Sequence, residues 1–159
     1  MTFNPLVAAG LDDAMAVAIG EARKAARPFG AVLVDAERGH VLVRAHNTAA
    51  AGDPTAHAEV NAIRAAGPLG IDLTGTILVS TAAPCVMCAG AAIWARVRGV
   101  VVACDADLLA ELGWKGMCLP PETVLAASPF PPIPWITGVL RDEAAELYRA
   151  APAARVTGR

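Results

Sequence analysis

The sequence predicts an α/β protein with one mixed β-sheet covered by helices on both faces. Short apolar runs rich in β-branched residues alternate with segments whose apolar residues recur at helical spacing. The first two runs lie close together and predict a hairpin, which makes the sheet mixed, and the later runs are separated by helices. At 159 residues, the chain is long enough for one domain with a substantial core.

The first half of the chain predicts a helix, a β-hairpin and a second helix. Pro28 follows the first helix, and Glu37-Arg38-Gly39 supplies the turn of the hairpin. Gly67 followed by Pro68 ends the second helix. The elements run over 9–26 (helix), 29–35 and 40–47 (strands) and 57–67 (helix).

The second half predicts two buried strands and two helices, followed by a final strand and helix. Pro84 precedes the longer of the first two helices, and the shorter one ends at Leu112. Residues 119–134 are rich in proline and predicted to be irregular, either as a pocket wall that includes Phe130 or as a surface connector. The elements run over 76–81 and 99–105 (strands), 85–95 (helix), 134–140 (last strand) and 141–151 (last helix). We expect a single domain over 1–151 and a flexible tail over 152–159.

Composition argues against several classes of protein. The formal net charge is −2, and the basic residues form no stripe, so we predict no nucleic-acid partner. Apolar residues make up 55% of the chain, yet no uninterrupted apolar run approaches the roughly 18 residues that span a bilayer. The stretch MTFNPLVAAGLDD lacks the basic start of a signal peptide. We therefore expect a cytoplasmic protein without a membrane partner.

The four cysteines indicate metal or redox chemistry rather than disulfides. Cys85 and Cys88 form a C-x-x-C pair, and no secretory signal accompanies them. A thioredoxin-like pair would follow the first strand of its fold, whereas this pair opens a helix after the third. Cys104 and Cys118 would complete a closed structural zinc site with four ligands, but Cys104 lies at a strand end, away from the helix starts.

His57 is the better candidate for the third ligand. It begins a helix after a loop, as Cys85 does, so the two side chains can converge at the strand ends. His57, Cys85 and Cys88 would leave the fourth position of a zinc ion open to water, as in a catalytic site. Glu59 would then accept a proton from that water. The alternative is a core histidine near a capping glutamate.

This combination of motifs resembles the zinc-dependent cytidine deaminase superfamily. HAE at 57–59 and PCVMC at 84–88 match its H-x-E and P-C-x-x-C signature. The likeness covers about the first two-thirds of the chain, including PFGAVLV (28–34), Asn47, DPTAHAEVNAIR (53–64) and PCVMCAGAAIWAR (84–96). It implies a three-layer α/β/α sandwich with a mixed five-stranded sheet, hydrolytic deaminase activity, one Zn²⁺ per subunit and a homodimer.

The same resemblance implies how the catalytic residues act. Zinc would lower the pKa of its water, and Glu59 would carry protons to the ring nitrogen and the leaving ammonia. The backbone N–H groups around Ala58 and Cys85 would bind the ring or the developing oxyanion.

The resemblance also implies the residues that contact the substrate. Asn47 would hydrogen-bond it, and Phe29, Trp94 and Trp114 would surround it. For three of these residues an ordinary structural role is the alternative: a core position for Phe29, a turn for Asn47 and plain packing for Trp114.

Two branches of the superfamily share these motifs. PCVMCAGA at 84–91 matches tRNA adenosine deaminases, whereas Trp94-Ala95-Arg96 and Gly113-Trp114 resemble the small-molecule branch typified by guanine deaminases. This chain departs from that branch at Lys115-Gly116, where acidic residues are usual, and at Ala83, where a glutamate is usual. The ring on which the protein acts is therefore left open between purines and related heterocycles.

We predict the hydrolytic deamination of a guanine-like purine base, a nucleoside or a related aminopyrimidine or triazine. A tRNA adenosine-to-inosine deaminase is one alternative, and a site rimmed by basic residues would favour it. Those residues are Arg23, Lys24, Arg96 and Arg98. The other alternative is a non-catalytic zinc-binding scaffold, against which the intact Glu59 argues.

Overall fold

The computed structural model describes residues 5–151, with side chains from Gly10 onward, so the predicted tail at 152–159 lies outside the described residues. The helices are α1 (Pro5–Ala22), α2 (Ala58–Ala66), α3 (Val86–Ala95), α4 (Ala106–Glu111), α5 (Pro121–Ala126) and α6 (Arg141–Ala150). The strands are β1 (Gly30–Asp35), β2 (Val41–His46), β3 (Thr76–Ala82), β4 (Gly99–Cys104) and β5 (Trp135–Thr137). Within this range, no helix is long and apolar enough to cross a membrane.

The strands form one five-stranded sheet in the order β2-β1-β3-β4-β5. β1 pairs antiparallel with both β2 and β3, whereas β3, β4 and β5 run parallel. Leu33 lies opposite Val43 on one side and Leu78 on the other, and Leu78 lies opposite Val100. The predicted mixed five-stranded sheet is confirmed.

Side chains of the central strands enter two separate cores, because successive residues of a strand point to opposite faces. Val32, Val79 and Val101 pack in the core that also contains residues of α1, α4 and α6. Leu33 and Leu78 pack in the other core, with residues of α2 and α3. Each fully buried side chain of this size contributes roughly 1.5–3 kcal/mol to folding. The result is the predicted three-layer sandwich.

Gly30 lets α1 lie directly against the first residue of β1. A Cβ atom at this position would lie 2.0 Å from the carbonyl oxygen of Ala18 and 2.6 Å from the backbone nitrogen of Ala22. Both neighbours are backbone atoms of a buried helix, so neither can move aside cheaply. The position therefore requires glycine, and Phe29 directly precedes it in the chain.

Proline starts two helices at positions that differ from the prediction. α1 begins at Pro5, before the predicted start at residue 9, and ends at Ala22, before the predicted end at residue 26. α5 begins at Pro121, inside the segment predicted to be irregular. The first turn of a helix tolerates proline, because the N–H groups of that turn have no partner within the helix and the ring of proline already fixes φ near the helical value. The prediction for residues 119–134 is therefore wrong over 121–126.

Candidate metal centre and substrate cavity

Two helices on the same face of the sheet begin at predicted metal ligands. His57 directly precedes α2 and Cys85 directly precedes α3, and both have extended backbones (φ −71°, ψ 156° and φ −66°, ψ 170°). Each residue caps its helix without a side-chain hydrogen bond to the helix start, so its side chain is available for other contacts. Cys88, three residues after Cys85, reaches the same point.

The distances between these three side chains fit a tetrahedral zinc ion. His57 Nδ1 lies 3.6 Å from Cys85 Sγ and 3.5 Å from Cys88 Sγ, and the two sulfur atoms are 3.6 Å apart. Bonds of about 2.3 Å to sulfur and about 2.0–2.1 Å to nitrogen require ligand separations of roughly 3.5–3.8 Å at the tetrahedral angle. The three ligand atoms thus form one face of a tetrahedron of the right size, and one vertex is left for another ligand.

The three side chains of the cluster interact electrostatically, and Cys85 is the one that is shifted toward the thiolate. Hydrogen bonds from the Cys88 thiol and from His57 lower the pKa of Cys85 to about 4. The Cys85 sulfur in turn raises the pKa of Cys88 and of His57. The positive end of α3 adds to the stabilisation of a thiolate. Anionic sulfur together with a neighbouring imidazole is a donor set that zinc prefers.

Glu59 lies in the first turn of α2 and is only 5% exposed. The Ser80 hydroxyl on β3 donates to its Oε1 at 3.2 Å. Burial raises the pKa of the Glu59 carboxyl. A carboxyl group held in this way beside a metal-binding cluster can accept a proton and return it.

The loop before α2 is held by side-chain hydrogen bonds. Asp53 accepts from the backbone N–H and the hydroxyl of Thr55, and Arg64 donates to its other oxygen at 3.2 Å. The side-chain amide of Asn61 donates to the carbonyl oxygens of His46 and Ala56. Asn61 therefore ties the end of β2 to the approach to His57, a role that the sequence analysis did not assign.

A cavity of about 370 Å³ lies beside the metal ligands, a volume within the range of small-molecule sites. His57, Glu59 and Cys85 form one side, called here the metal wall. Phe29 and Trp114 form the aromatic wall. The other lining residues are Arg27, Asn47, Ala82, Ala83, Leu109, Lys115, Gly116 and Cys118.

The aromatic wall is fixed from behind by Tyr148 on α6. The rings of Phe29 and Trp114 meet edge to face with centroids 5.3 Å apart, and the Tyr148 ring lies 5.3 Å from Phe29. The indole N–H of Trp114 donates to the carbonyl oxygen of Tyr148 at 3.0 Å. The buried Tyr148 hydroxyl donates to Thr81 Oγ1 at 2.8 Å. The indole edge therefore cannot rotate without breaking a hydrogen bond.

Asn47 takes part in both a turn and the cavity. Its side-chain Oδ1 accepts a hydrogen bond from the backbone N–H of Ala49 at 3.0 Å, and its backbone N–H donates to the carbonyl oxygen of Phe29. The residue is 6% exposed and lines the cavity. The turn thus occupies the amide oxygen, which orients the side chain and leaves the amide nitrogen for a ligand.

Two of the predicted substrate contacts, Trp94 and Ala58, lie outside the cavity lining within residues 10–151. Trp94 is 72% exposed and packs edge to face against Phe130, and it does not line the cavity formed by the described residues. It lies nine residues after Cys85, roughly 13 Å along α3. Ala58 is fully buried against the sheet and does not line that cavity either. Residues 119–135 also stay outside the lining, which favours a connector there.

The structure also adds cavity residues that the sequence analysis did not place there. Arg27, Leu109 and Cys118 line the cavity, and Lys115 does so as the direct neighbour of Trp114. Two backbone hydrogen bonds hold the loop that carries Lys115 and Cys118. The backbone N–H of Trp114 donates to the carbonyl oxygen of Leu109, and the backbone N–H of Val86 donates to that of Met117. The Gly-Trp-Lys-Gly stretch was the available signal, but nothing local shows that it folds back over Cys85.

Comparison with known families agrees with this geometry. Residues 10–104 match the family described as the cytidine and deoxycytidylate deaminase zinc-binding region. The match covers more than half of the chain and includes the metal ligands and Glu59. The chain belongs to this deaminase family. Its zinc-binding region coincides with the part of the molecule that carries the metal wall.

Individual relatives share parts of the chain. Guanine deaminase of Bacillus subtilis is 41% identical over 90 residues, which cover 55% of this chain and 56% of that protein. tRNA(Ile)-lysidine synthase of Deinococcus deserti is 40% identical over 147 residues, 87% of this chain and 26% of that protein. The chain therefore spans about half the length of the first relative and about a quarter of the second.

Solved structures resemble most of the fold. Guanine deaminase from Nitrosomonas europaea superimposes with a TM-score of 0.77 at 30% identity, covering 88% of this chain and 83% of that one. A structure at the same TM-score is a complex with 2,6-diaminopurine. A structure from a study of tRNA:A34 deaminases gives 0.67 at 31% identity, covering 85% of this chain and 98% of that one.

Proposed function

We propose that the protein is a zinc-dependent hydrolase that removes the amino group of a small aminated heterocycle and releases ammonia. One observation carries the proposal. The side chains of His57, Cys85 and Cys88 fit three vertices of a tetrahedral zinc site, and the buried Glu59 lines the same cavity. A site with an open vertex next to a proton acceptor is built for hydrolysis rather than for structural support.

Each residue of the metal wall has a role in this proposal. His57 Nδ1, Cys85 Sγ and Cys88 Sγ hold the ion, which when bound lowers the pKa of water toward neutrality. Glu59 would accept the two protons of the water one after the other, passing the first to the ring nitrogen and the second to the departing amine. Ser80 keeps the carboxylate oriented through its hydrogen bond. Overall, one water converts a ring C–NH₂ into C=O with release of NH₃.

The proposed substrate is a guanine-like purine base, with a nucleoside, an aminopyrimidine or a triazine as related rings. The aromatic wall offers Trp114 and Phe29 to a flat heterocycle. Asn47 presents its amide nitrogen to a ring oxygen or nitrogen. The likeness to guanine deaminases in sequence and in structure supports the purine assignment.

The alternatives receive less support. The tRNA-acting relatives favour a tRNA substrate, but Arg23, Lys24, Arg96 and Arg98 all lie outside the cavity lining among the described residues. Lys24 and Arg98 are moreover ion-paired with glutamates. A silent scaffold would have no use for the buried carboxyl of Glu59.

We further propose one zinc ion per subunit in a single domain over 1–151, acting in the cytoplasm as a homodimer without a membrane or nucleic-acid partner. The four cysteines are free, as in a reducing compartment. Met117 (76% exposed) and Leu119 (48% exposed) flank Cys118, and Val86 hydrogen-bonds to Met117. This apolar surface is a suitable dimer contact, and sedimentation of the zinc-loaded protein would test it.

Ammonia release by the zinc-loaded protein tests the activity. The panel holds guanine, adenine, cytosine, their nucleosides, isocytosine and amino-triazines, with a tRNA anticodon stem-loop scored by inosine formation. We expect release from one class of small ring, and loss of that release in Glu59→Ala with zinc retained. Turnover confined to the stem-loop would overturn the small-molecule assignment, and zinc binding without any turnover would favour the scaffold.

A further inference from the structure

Two cations of the cavity have no function in the proposed chemistry. The ionisable side chains that line it are Arg27, His57, Glu59, Cys85, Lys115 and Cys118. Metal binding and proton transfer use His57, Glu59 and Cys85. Burial raises the pKa of the Cys118 thiol, which keeps it neutral. Arg27 and Lys115 remain, and Glu59 is the only carboxylate among these lining residues.

These two cations are also free of ion pairs. Across residues 10–151, neither Arg27 nor Lys115 forms a salt bridge, whereas most other arginine and lysine side chains do. The paired ones are Lys24, Arg38, Arg64, Arg98, Arg141 and Arg149. Both residues are exposed, so they line the cavity where it opens to solvent, and their charges are available to an entering ligand. A concave site lined by charges of one sign also concentrates ligands of the opposite sign.

Both cations adjoin the aromatic wall. Lys115 directly follows Trp114, and Arg27 precedes Phe29 by two residues. The two rings are in contact at 5.3 Å, so the chain brings both cations to the part of the cavity where a ring would be held. The catalytic carboxylate comes from a different element, α2. A ring with its amine at Glu59 could therefore direct another substituent toward the cations.

We infer that the substrate is an aminated heterocycle bearing an anionic substituent, a carboxylate or a phosphate, and that Arg27 and Lys115 bind that substituent. The inference rests on the proposed deaminase function and narrows its substrate class. Deamination converts C–NH₂ into C=O and leaves the anionic group unchanged, so the same two cations hold substrate and product. A small molecule is favoured over a nucleic acid, because two cations at the opening of a cavity of about 370 Å³ match one anionic group rather than the row of phosphates in a nucleic-acid backbone.

Matched substrate pairs test the inference. The value of kcat/KM for ammonia release is measured for two pairs of compounds. The first pair is guanosine and guanosine 5′-monophosphate, and the second is isocytosine and an isocytosine that carries a carboxylate on its ring. Each pair differs only in the anion, so the two arms separate phosphate from carboxylate. The variants are Arg27→Gln and Lys115→Gln, with Arg44→Gln as the control, because Arg44 is exposed and outside the cavity lining.

We expect the anionic member of one pair to be preferred at least about tenfold at low salt, and less so at physiological salt. Each cavity variant should lower that preference roughly three- to tenfold, because kcat/KM falls more for the anionic member than for the neutral one. Arg44→Gln should leave the preference intact. Equal turnover of both members in every variant would overturn the inference and leave the deaminase function standing.

Direct binding separates failure of the inference from failure of the activity. If no ring releases ammonia, the deaminase proposal fails, and calorimetry with guanosine 5′-monophosphate and the ring carboxylate then decides about the anion site. Binding that is weakened in Arg27→Gln and Lys115→Gln supports the site, and absence of binding overturns it. If the protein formed inosine in the tRNA stem-loop and both variants abolished that activity, the anion site would serve a nucleic acid, and the inference would be overturned.

Discussion

The two walls of the cavity are built in different ways. The metal wall comes from the first residues of two helices that pack on a buried sheet, and its members lie in two short stretches of sequence. The aromatic wall joins Phe29 to Trp114 and depends on Tyr148 from the other side of the sheet. Local backbone geometry thus fixes the chemistry, whereas long-range packing fixes the shape offered to the substrate.

Strand β3 supports both walls with adjacent hydroxyl groups. Ser80 donates to Glu59, and Thr81 accepts from Tyr148, because neighbouring residues of a strand point to opposite faces. Thr81 also hydrogen-bonds the backbone N–H of Gly30, next to Phe29. Because the two hydroxyl groups of β3 serve opposite faces of the sheet, a substitution can disturb one wall of the cavity and leave the other in place. Each substitution described next is directed at one wall.

The largest effect is expected for Glu59→Gln. Glutamine keeps the size and the contact with Ser80 but cannot carry a proton, so kcat should fall about 10²–10⁴-fold. The zinc content, measured by atomic absorption, should stay at the wild-type level because Glu59 is not a ligand. A variant that retains more than a tenth of the wild-type kcat would contradict the role assigned to Glu59.

Gly30→Ala should disrupt the base of the aromatic wall. The added methyl group would overlap the backbone of α1 at Ala18, and we expect a loss of about 3 kcal/mol or more in the free energy of unfolding. Gly90→Ala is the matched control: Gly90 lies inside α3 with nothing within 4 Å of the added atom, and alanine there should stabilise by about 0.5–1 kcal/mol. If urea unfolding showed the same change in the free energy of unfolding for both variants, the close packing of α1 on β1 would be refuted.

Trp114→Ala should weaken substrate binding without loss of zinc. Removal of a ring that stacks on a heterocycle costs about 1–3 kcal/mol, which corresponds to a rise of roughly 5- to 150-fold in KM. Trp94→Ala is the control, since Trp94 is 72% exposed and outside the cavity lining. Steady-state kinetics in which Trp94→Ala raised KM and Trp114→Ala did not would place Trp94, rather than Trp114, against the substrate.

The smallest effects are expected on β3. Ser80→Ala removes one hydrogen bond to Glu59 and should lower kcat about 2- to 12-fold with little change in KM. Thr81→Val leaves the Tyr148 hydroxyl without its partner and should cost about 1–3 kcal/mol of stability and raise KM. If both substitutions changed the same kinetic parameter, the division of β3 between the two walls would be incorrect.

The metal wall could be predicted from sequence because its residues depend on local rules. Cys85 and Cys88 are three residues apart at a helix start, and His57 and Glu59 lie together at another. A helix start determines where such side chains point, whatever packs elsewhere. The same reasoning predicted the buried strands to within one or two residues, since a fully buried sheet leaves a continuous apolar run.

The aromatic wall could be predicted only in part, because its partners are far apart in the chain. Tyr148 reaches Trp114 only through the packing of α6 on the sheet, which no local pattern encodes. Trp94 shares α3 with the metal ligands, yet its distance along the helix removes it from the cavity. Lys115 lies in the sequence next to Trp114, but no local pattern places it in the cavity, where the structure has it.

Zinc K-edge X-ray absorption of the zinc-loaded protein tests the central claim most directly. An open site held by His57, Cys85 and Cys88 predicts two sulfur ligands at about 2.3 Å and two nitrogen or oxygen ligands at about 2.0–2.1 Å, one of them from solvent. Cys118 lines the same cavity and is the one further thiol near the site among the described residues. A first shell with three sulfur atoms would mean that Cys118 closes the site, and it would contradict a hydrolytic function.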